Sequence, residues 1–211
     1  MKNDTKSIED IKIIRKIMEE SSRFLSLSGL AGLFAGVTAI AGALVAYFVI
    51  LDNGNIKYAD YLKGLSNHDI RVVGLQLLAD AAIVLVISVL VTIYFSLKKA
   101  KKEGKNLMTP ISKRLLINFF IPLATGGIFV FMLIIHNSIQ LIVPCFLIFY
   151  GLAMVNAGKF TFGEIFYLGI IEIVIGLVSA FVPGWGLIFW IIGFGILHIV
   201  YGLAMYRKYE A

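Results

Sequence analysis

Cysteine, histidine and charged residues are scarce in this sequence, and each shortage excludes a class of protein. The single cysteine, Cys145, cannot form a disulfide within the chain, and metal centres built on paired cysteines are excluded with it. The three histidines fall in separate segments, so we expect no metal site. The zinc-hydrolase motif HExxH, the nucleophile motif GxSxG and the phosphate-binding loop are also absent. The sequence therefore predicts neither an enzyme nor a bound cofactor.

Hydrophobic residues make up 59% of the chain and charged residues only 15%, whereas soluble domains are about 45–50% apolar. Six long apolar runs account for most of the length, which leaves little room for a soluble domain. Runs of this length predict an all-α polytopic membrane protein with a transmembrane domain over residues 24–206. The predicted spans are residues 24–51, 70–97, 115–135, 139–156, 164–182 and 186–206.

The N-terminal segment, residues 1–23, is polar and carries isoleucines at helical spacing among lysines, arginines and glutamates. This pattern is typical of an amphipathic helix. We expect the helix either to lie on the membrane surface or to pack on the protein's own cytoplasmic loops. The first apolar run is too long for the core of a signal peptide, so it is predicted to remain as an anchor.

Lysine and arginine are distributed unevenly between the two sides of the predicted membrane. The loops and termini on one side hold sixteen of them, and the other side holds three. The positive-inside rule therefore predicts that both termini, including the tail 207–211, are cytoplasmic.

Five lysines are clustered in the loop between the second and third predicted spans. Clusters of this kind beside a membrane span favour contact with anionic lipid headgroups. We therefore expect the basic residues to bind lipid rather than nucleic acid. The predicted headgroup residues are Lys98, Lys99, Lys101, Lys102 and Lys105.

A glutamate and a histidine lie at matched positions in the last two predicted spans. Glu172 is 11 residues before the turn Pro183–Gly186, and His198 is 12 residues after it. At a rise of about 1.5 Å per residue, both side chains reach a similar depth in the bilayer. An ionisable residue at that depth is a candidate functional residue.

Two interpretations of this pair are open. In the first, Glu172 and His198 satisfy each other's polar groups and pin the two helices together. In the second, they exchange protons as part of an intramembrane polar site that also includes Asp80 and Gln76 of the second span. Asp80 and Gln76 are four residues apart, so they share one helix face.

Small residues line one face of several predicted spans. In the first span, Gly32 and Gly36 form a GxxxG pattern, which lets another backbone approach closely. The fifth and sixth spans have comparable faces around Glu172 and His198, and we expect these two faces to pack against each other. The glycines of these faces are Gly169, Gly176, Gly195 and Gly202.

The pentapeptide Tyr-Gly-Leu-Ala-Met occurs twice, at residues 150–154 and 201–205. Each copy closes the second arm of a predicted hairpin with a short turn. This internal repeat predicts an architecture of three hairpins, with the first two spans as a diverged third copy. Because both termini are predicted on one side, the hairpins would be parallel repeats about an axis along the membrane normal.

The last hairpin and the start of the first span carry a resemblance to a known family. The matching residues are Gly169, Glu172 and Gly176, the turn 183–186, and the arm from Gly193 through His198 to Gly202, together with residues 22–30, Gly32 and Gly36. These stretches resemble a family of uncharacterised six-span inner-membrane proteins of Bacteroidota. The resemblance implies a bacterial inner membrane and six spans, but no activity. The hairpin plan resembles, more weakly, the HdeD-type acid-resistance membrane proteins, which hints at a response to envelope stress.

Two hypotheses for function follow. The first is a small interaction or envelope-stress module that binds lipid, a membrane-protein partner or a second copy of the chain. The alternative is a proton- or cation-coupled transporter or channel that uses the buried Glu–His pair, because the few intramembrane polar residues could line only a narrow path.

Overall fold

The structure is a computed structural model that describes residues 27–51, 57–104 and 108–211. These residues form helices and no strands, and six of the helices are long and apolar enough to cross a membrane. The predicted all-α polytopic fold is therefore confirmed. The six spans are α1 (Gly29–Ile50), α3 (Asn67–Lys102), α4 (Pro110–Ile135), α5 (Ile139–Gly158), α6 (Gly163–Phe181) and α7 (Gly186–Tyr209), and the short helix α2 (Tyr58–Lys63) lies between α1 and α3.

Two helices begin earlier than the apolar runs predict, because polar residues cap them. The Ser66 hydroxyl accepts a hydrogen bond from the backbone N–H of Asp69 at 3.2 Å at the start of α3. The Thr109 hydroxyl accepts one from the backbone N–H of Ser112 at 3.1 Å at the start of α4. Such caps satisfy backbone donors that the first helical turn leaves unpaired, so the helix extends past the apolar run.

The first span begins later than predicted. Leu27 and Ser28 are not helical, and α1 begins at Gly29 rather than at residue 24. The predicted amphipathic helix over residues 1–23 lies outside the described residues, as does Lys105 of the predicted headgroup cluster.

The most extensive helix contacts cross the boundaries of the predicted hairpins. Helix α6 packs chiefly on α5, and α7 packs chiefly on α1, whereas α6 and α7 contact each other much less. The prediction that the small-residue faces of the fifth and sixth spans pack on each other is therefore wrong. Each of those faces meets a helix of a different hairpin.

The interfaces α5–α6 and α7–α1 are built in the same way around pairs of glycines. A methyl group added to Gly151 would lie 2.6 Å from the Gly169 carbonyl oxygen, and one added to Gly202 would lie 2.7 Å from the Gly29 carbonyl oxygen. The converse additions at Gly169 and Gly29 would meet the carbonyl oxygens of Gly151 and Gly202 at 2.7 and 2.6 Å. Gly151 and Gly202 are the glycines of the repeated pentapeptide, so the repeat in sequence corresponds to a repeated helix crossing.

The remaining predicted packing glycines extend the same two interfaces. Gly176 of α6 faces Leu147 and Ile148 of α5, and its counterpart Gly36 of α1 faces Ile199 and the backbone of α7. Gly32 faces Gly202, and Gly195 faces Ile40 of α1. These glycines pack helices as predicted, but the helices that meet at them are α5 with α6 and α1 with α7.

A polar cluster ties the two ends of the described chain together. Glu210 accepts hydrogen bonds from the Ser28 hydroxyl at 3.0 Å and from the backbone N–H of Gly29 at 2.6 Å. The Lys99 ammonium donates to the Leu27 carbonyl at 2.9 Å and lies 3.5 Å from Glu210. A carboxylate at the start of α1 also complements the helix dipole. The end of the bundle where α1 begins and α7 ends is called the termini-side end below.

Lys99 therefore differs from the other lysines of the predicted headgroup cluster. Its side chain is 9% exposed and its ammonium contacts protein groups. Lys98, Lys101 and Lys102 are exposed at the end of α3, where contact with lipid headgroups stays a prediction.

Alanine substitutions test the repeated glycine crossing. We expect Gly151→Ala and Gly202→Ala each to lower the free energy of unfolding by about 1–3 kcal/mol, because the added methyl group would meet backbone atoms that cannot rotate away. Gly127→Ala is the matched control, since no atom lies within 4 Å of the added group. Thermal unfolding in detergent measures all three. Equal stability of the three variants would contradict the proposed packing.

Candidate functional site

Glu172 and His198 form a buried polar site in the middle of the bundle. Glu172 lies halfway along α6 with none of its surface exposed, and His198 on α7 is 6% exposed. Oε1 of Glu172 lies 3.4 Å from Nδ1 of His198. The prediction that the two side chains meet at the same depth is confirmed.

The backbone of α7 widens just before His198 and positions its ring. Residues Ile191–Leu197 form a π-helical segment, and α-helix resumes at His198. His198 Nδ1 lies 3.1 Å from the Gly193 carbonyl oxygen. A carbonyl can only accept, so Nδ1 carries a proton and donates it. Interruptions of this kind in a helix are frequent at functional sites.

The second ring nitrogen of His198 is bonded to a tyrosine of a third helix. His198 Nε2 lies 2.8 Å from the hydroxyl of Tyr150 on α5. Because Nδ1 holds the proton of a neutral ring, Nε2 accepts the hydrogen bond that the Tyr150 hydroxyl donates. Phe194 packs against the edge of the Tyr150 ring, with ring centres 5.1 Å apart. Tyr150 and Gly193 thus orient the histidine from two sides.

Glu172 has no comparable partner. Among the described residues, neither of its carboxylate oxygens has a hydrogen-bond partner. The Nδ1 proton of His198 points at Gly193, so the approach of 3.4 Å to Glu172 is a close contact rather than a hydrogen bond. A buried ionised carboxylate without partners is costly, and binding a proton removes the charge that causes the cost. The arrangement therefore favours the protonated, neutral form of Glu172.

Gly193 also makes room for the carboxylate. A methyl group added to Gly193 would lie 2.7 Å from Oε2 of Glu172 and would also clash with Leu147. The glycine therefore has two roles in the site: its carbonyl orients the histidine and its missing side chain accommodates the glutamate.

The other two predicted members of the polar site lie elsewhere. Gln76 is exposed on α3, and no hydrogen bond or ion pair joins it or Asp80 to Glu172 or His198 within the described parts of the chain. Asp80 lies beside Gly42 of α1, where an added methyl group would be 3.4 Å from its carboxylate. The structure therefore separates the acid of α3 from the pair on α6 and α7.

Asp80 lines a crevice near the end of the bundle opposite the termini-side end. Its walls are mainly apolar and aromatic, and they include Phe146, Trp190 and Tyr58 of α2. Burial raises the pKa of the Tyr58 hydroxyl above its usual range. One carboxylate in such surroundings is too few oxygen ligands for Ca²⁺ or Mg²⁺.

Sequence reasoning missed Tyr150 and Gly193 as members of the site. Both belong to motifs of the sequence: Tyr150 is in the repeated pentapeptide, and Gly193 is in the glycine-rich arm of the last hairpin. Nothing in either motif distinguishes a site residue from a packing residue. Tyr201, the counterpart of Tyr150 in the second copy, has a buried hydroxyl with no hydrogen-bond partner among the described residues.

Comparison with protein-family models, curated proteins and solved structures gives no match for this chain. Within the described residues, no group of three or more histidine, cysteine, aspartate or glutamate side chains is placed to hold a metal ion. The assignment of function therefore depends on the geometry of the Glu172–His198–Tyr150 site.

The two counterpart tyrosines provide a matched test of the site. We expect Tyr150→Phe to lower the free energy of unfolding by about 1–3 kcal/mol, because a buried ring nitrogen of His198 loses its donor. Tyr201→Phe should leave stability nearly unchanged, since its hydroxyl has no partner to lose. Chemical unfolding in detergent measures both. A loss of the same size in both variants would contradict the assigned hydrogen bond.

Proposed function

We propose that this protein is a small proton-coupled transporter or proton channel in which Glu172 binds the proton in the middle of the membrane. The observation that carries the proposal is the carboxylate of Glu172, which is fully buried and hydrogen-bonded to no described residue, beside a histidine that is hydrogen-bonded on both ring nitrogens. Such a pair is poised to pass a proton between the ring and the carboxylate.

The geometry favours this role over a structural pin. A pin between α6 and α7 would stabilise the bundle through a direct hydrogen bond from Nδ1 to the carboxylate. Here Nδ1 donates to its own helix, at Gly193, and Glu172 is left without a bond. Isolated buried charges destabilise a fold, so the arrangement is better explained by proton binding than by stability.

A proton also suits the site better than a metal cation. Ca²⁺ takes six to eight oxygen ligands and Mg²⁺ takes about six. At this site the ring nitrogens of His198 contact three oxygen groups, namely the Glu172 carboxylate, the Gly193 carbonyl and the Tyr150 hydroxyl. A proton needs only one acceptor atom.

The proposed location is a bacterial inner membrane, with both termini in the cytoplasm. The location rests on the resemblance to six-span proteins of Bacteroidota, and the orientation rests on the uneven distribution of lysine and arginine. The hydrogen bonds of Glu210 to Ser28 and Gly29 support the part of this proposal that puts the start of α1 and the end of α7 on one side.

Reporter fusions test the orientation. A reporter that is active only in the cytoplasm should be active when fused after Ala211, and a reporter that is active only in the periplasm should be inactive there. When α7 is removed and the reporter is fused in the turn 183–186, the periplasmic reporter should be active and the cytoplasmic reporter inactive. Periplasmic activity after Ala211 would overturn the proposed orientation.

Proton flux into liposomes tests the function. Wild-type protein, reconstituted with a pH-sensitive dye inside, should conduct protons when a potassium diffusion potential is imposed. Glu172→Gln should reduce the flux to background, because an amide cannot carry the proton, and His198→Ala should reduce it strongly. Asp69→Asn is the matched control, since this carboxylate is exposed at the start of α3 and far from the pair along the chain.

Absence of flux from folded wild-type protein would contradict the proton-channel form of the proposal. In a proton-coupled transporter that lacks its substrate, Glu172 would still bind a proton although no flux is seen. The infrared band of the protonated Glu172 carboxyl is therefore recorded on the same samples. Neither flux nor a protonated band would overturn the proposal and would favour the interaction or envelope-stress module, for which a specific co-purified partner is the expected observation.

A further inference from the structure

We infer that a layer of apolar side chains on the termini side of the Glu172–His198 pair is a gate, and that Lys99 of α3 holds this gate shut. The inference rests on the proposed function and adds to it a closed state and the side from which the site opens. The layer is called the termini-side gate below, and its residues are Met154, Phe162, Ile165, Leu168 and Met205.

The termini-side gate is built mainly by the same three helices that carry the polar site. Met154 lies four residues after Tyr150 on α5, and Leu168 lies four residues before Glu172 on α6. At a rise of about 1.5 Å per residue, each is about 6 Å from its site residue along the helix, towards the termini-side end. Met205 lies seven residues after the site histidine on α7, in the same direction. The gate therefore lies between the polar site and that end of the bundle.

The gate is closed in this structure. None of its five side chains exposes more than 8% of its surface. Tyr150 of the polar site packs against the layer, and so does Leu27, which precedes α1. Apolar constrictions of this kind exclude water, and channels use them as gates that open when the constriction is wetted.

Lys99 contacts the gate from α3, which is not one of the three helices of the polar site. Its ammonium lies 5.5 Å from the centre of the Phe162 ring and donates to the Leu27 carbonyl at 2.9 Å. The same ammonium lies 3.5 Å from Glu210, just after the end of α7. Phe162 in turn packs on Tyr209, with ring centres 4.5 Å apart. One ammonium group therefore holds together a gate residue, the segment before α1 and the end of α7.

The end of α3 can move without displacing the polar site. Helix α3 packs chiefly on α1 and has little contact with α6 or α7. The glycine crossings hold α5 on α6 and α7 on α1, and neither crossing involves α3. A displacement of the end of α3 would therefore release Phe162 and Leu27 while Glu172 and His198 stay in place.

The burial of two charges favours a gate over a permanent wall. The side chains of Lys99 and Glu210 are only 9% and 14% exposed. Taking two charges out of water costs free energy that their attraction barely recovers. Opening the gate returns both charges to water, and this offsets part of the cost of exposing the apolar layer. A wholly apolar seal has no such compensation, so the closed and open states lie closer in free energy here.

Labelling of a cysteine inside the gate tests the inference. In full-length protein in membrane vesicles, with Cys145→Ser as background, Leu168→Cys should react negligibly with a small membrane-impermeant methanethiosulfonate. Lys99→Ala should raise the labelling rate from the termini-side face by about tenfold or more, since losing a hydrogen bond to a charged group shifts an equilibrium by at least that factor. Lys98→Ala is the matched control, because this neighbouring lysine is exposed. Equal labelling in the two lysine variants, or faster labelling from the opposite face, would overturn the gate.

A second cysteine separates opening of the gate from general unfolding. Val130 of α4 is fully buried in a different apolar cluster, so Val130→Cys should stay unlabelled in the Lys99→Ala protein. Labelling of both cysteines would indicate unfolding, and Glu210→Gln then decides, because it removes the charge opposite Lys99 and keeps both side chains. Labelling of Leu168→Cys alone in Glu210→Gln supports the gate, and labelling of neither cysteine overturns it.

The outcomes also separate the gate from the proposed function. Unchanged labelling of Leu168→Cys in Lys99→Ala and Glu210→Gln overturns the gate even if the wild-type protein conducts protons. Raised labelling supports the gate even without proton flux, and the absence of flux then contradicts only the proton-channel form of the proposed function.

Discussion

Close contact between helix backbones at pairs of glycines is the constraint on which the rest of the structure depends. Bilayer lipid offers no hydrophobic drive for helices to associate, so they are held by packing at short range. Gly151 against Gly169 and Gly202 against Gly29 supply that packing twice, with the same carbonyl contacts. Because α6 is held by α5 and α7 by α1, the space between α6 and α7 is not closed by their own glycine faces.

That space contains the buried polar site formed by Glu172 and His198. Gly193 leaves room for the Glu172 carboxylate, its carbonyl bonds Nδ1 of His198, and Tyr150 reaches the ring from α5. The site therefore draws on three helices, and its position depends on two separate glycine crossings. A substitution at Gly151 or Gly202 would shift the helices that carry the site, even though neither glycine contacts it.

The two copies of the repeated pentapeptide have the same packing role but different polar roles. Its glycines make the two equivalent crossings, and its tyrosines, Tyr150 and Tyr201, are used differently. Tyr150 bonds to His198, whereas the residue in α5 that corresponds to His198 is Leu147, which has no group to bond Tyr201. The two copies of the repeat therefore share one crossing geometry, but only the copy whose tyrosine meets a histidine takes part in the polar site.

The sequence by itself determined the number of spans, the helical fold class and the common depth of Glu172 and His198. These are local properties, since the length of an apolar run and the distance of a residue from a turn do not depend on neighbouring helices. Only the tertiary structure decided that Asp80 is separated from the pair, that Lys99 pairs with Glu210, and that Tyr150 and Gly193 complete the site. Those outcomes depend on how each helix is rotated about its own axis and on which helix it packs against. A helix that is apolar on all sides and surrounded by lipid has no distinct hydrophobic face, so its sequence specifies neither the rotation nor the neighbouring helix.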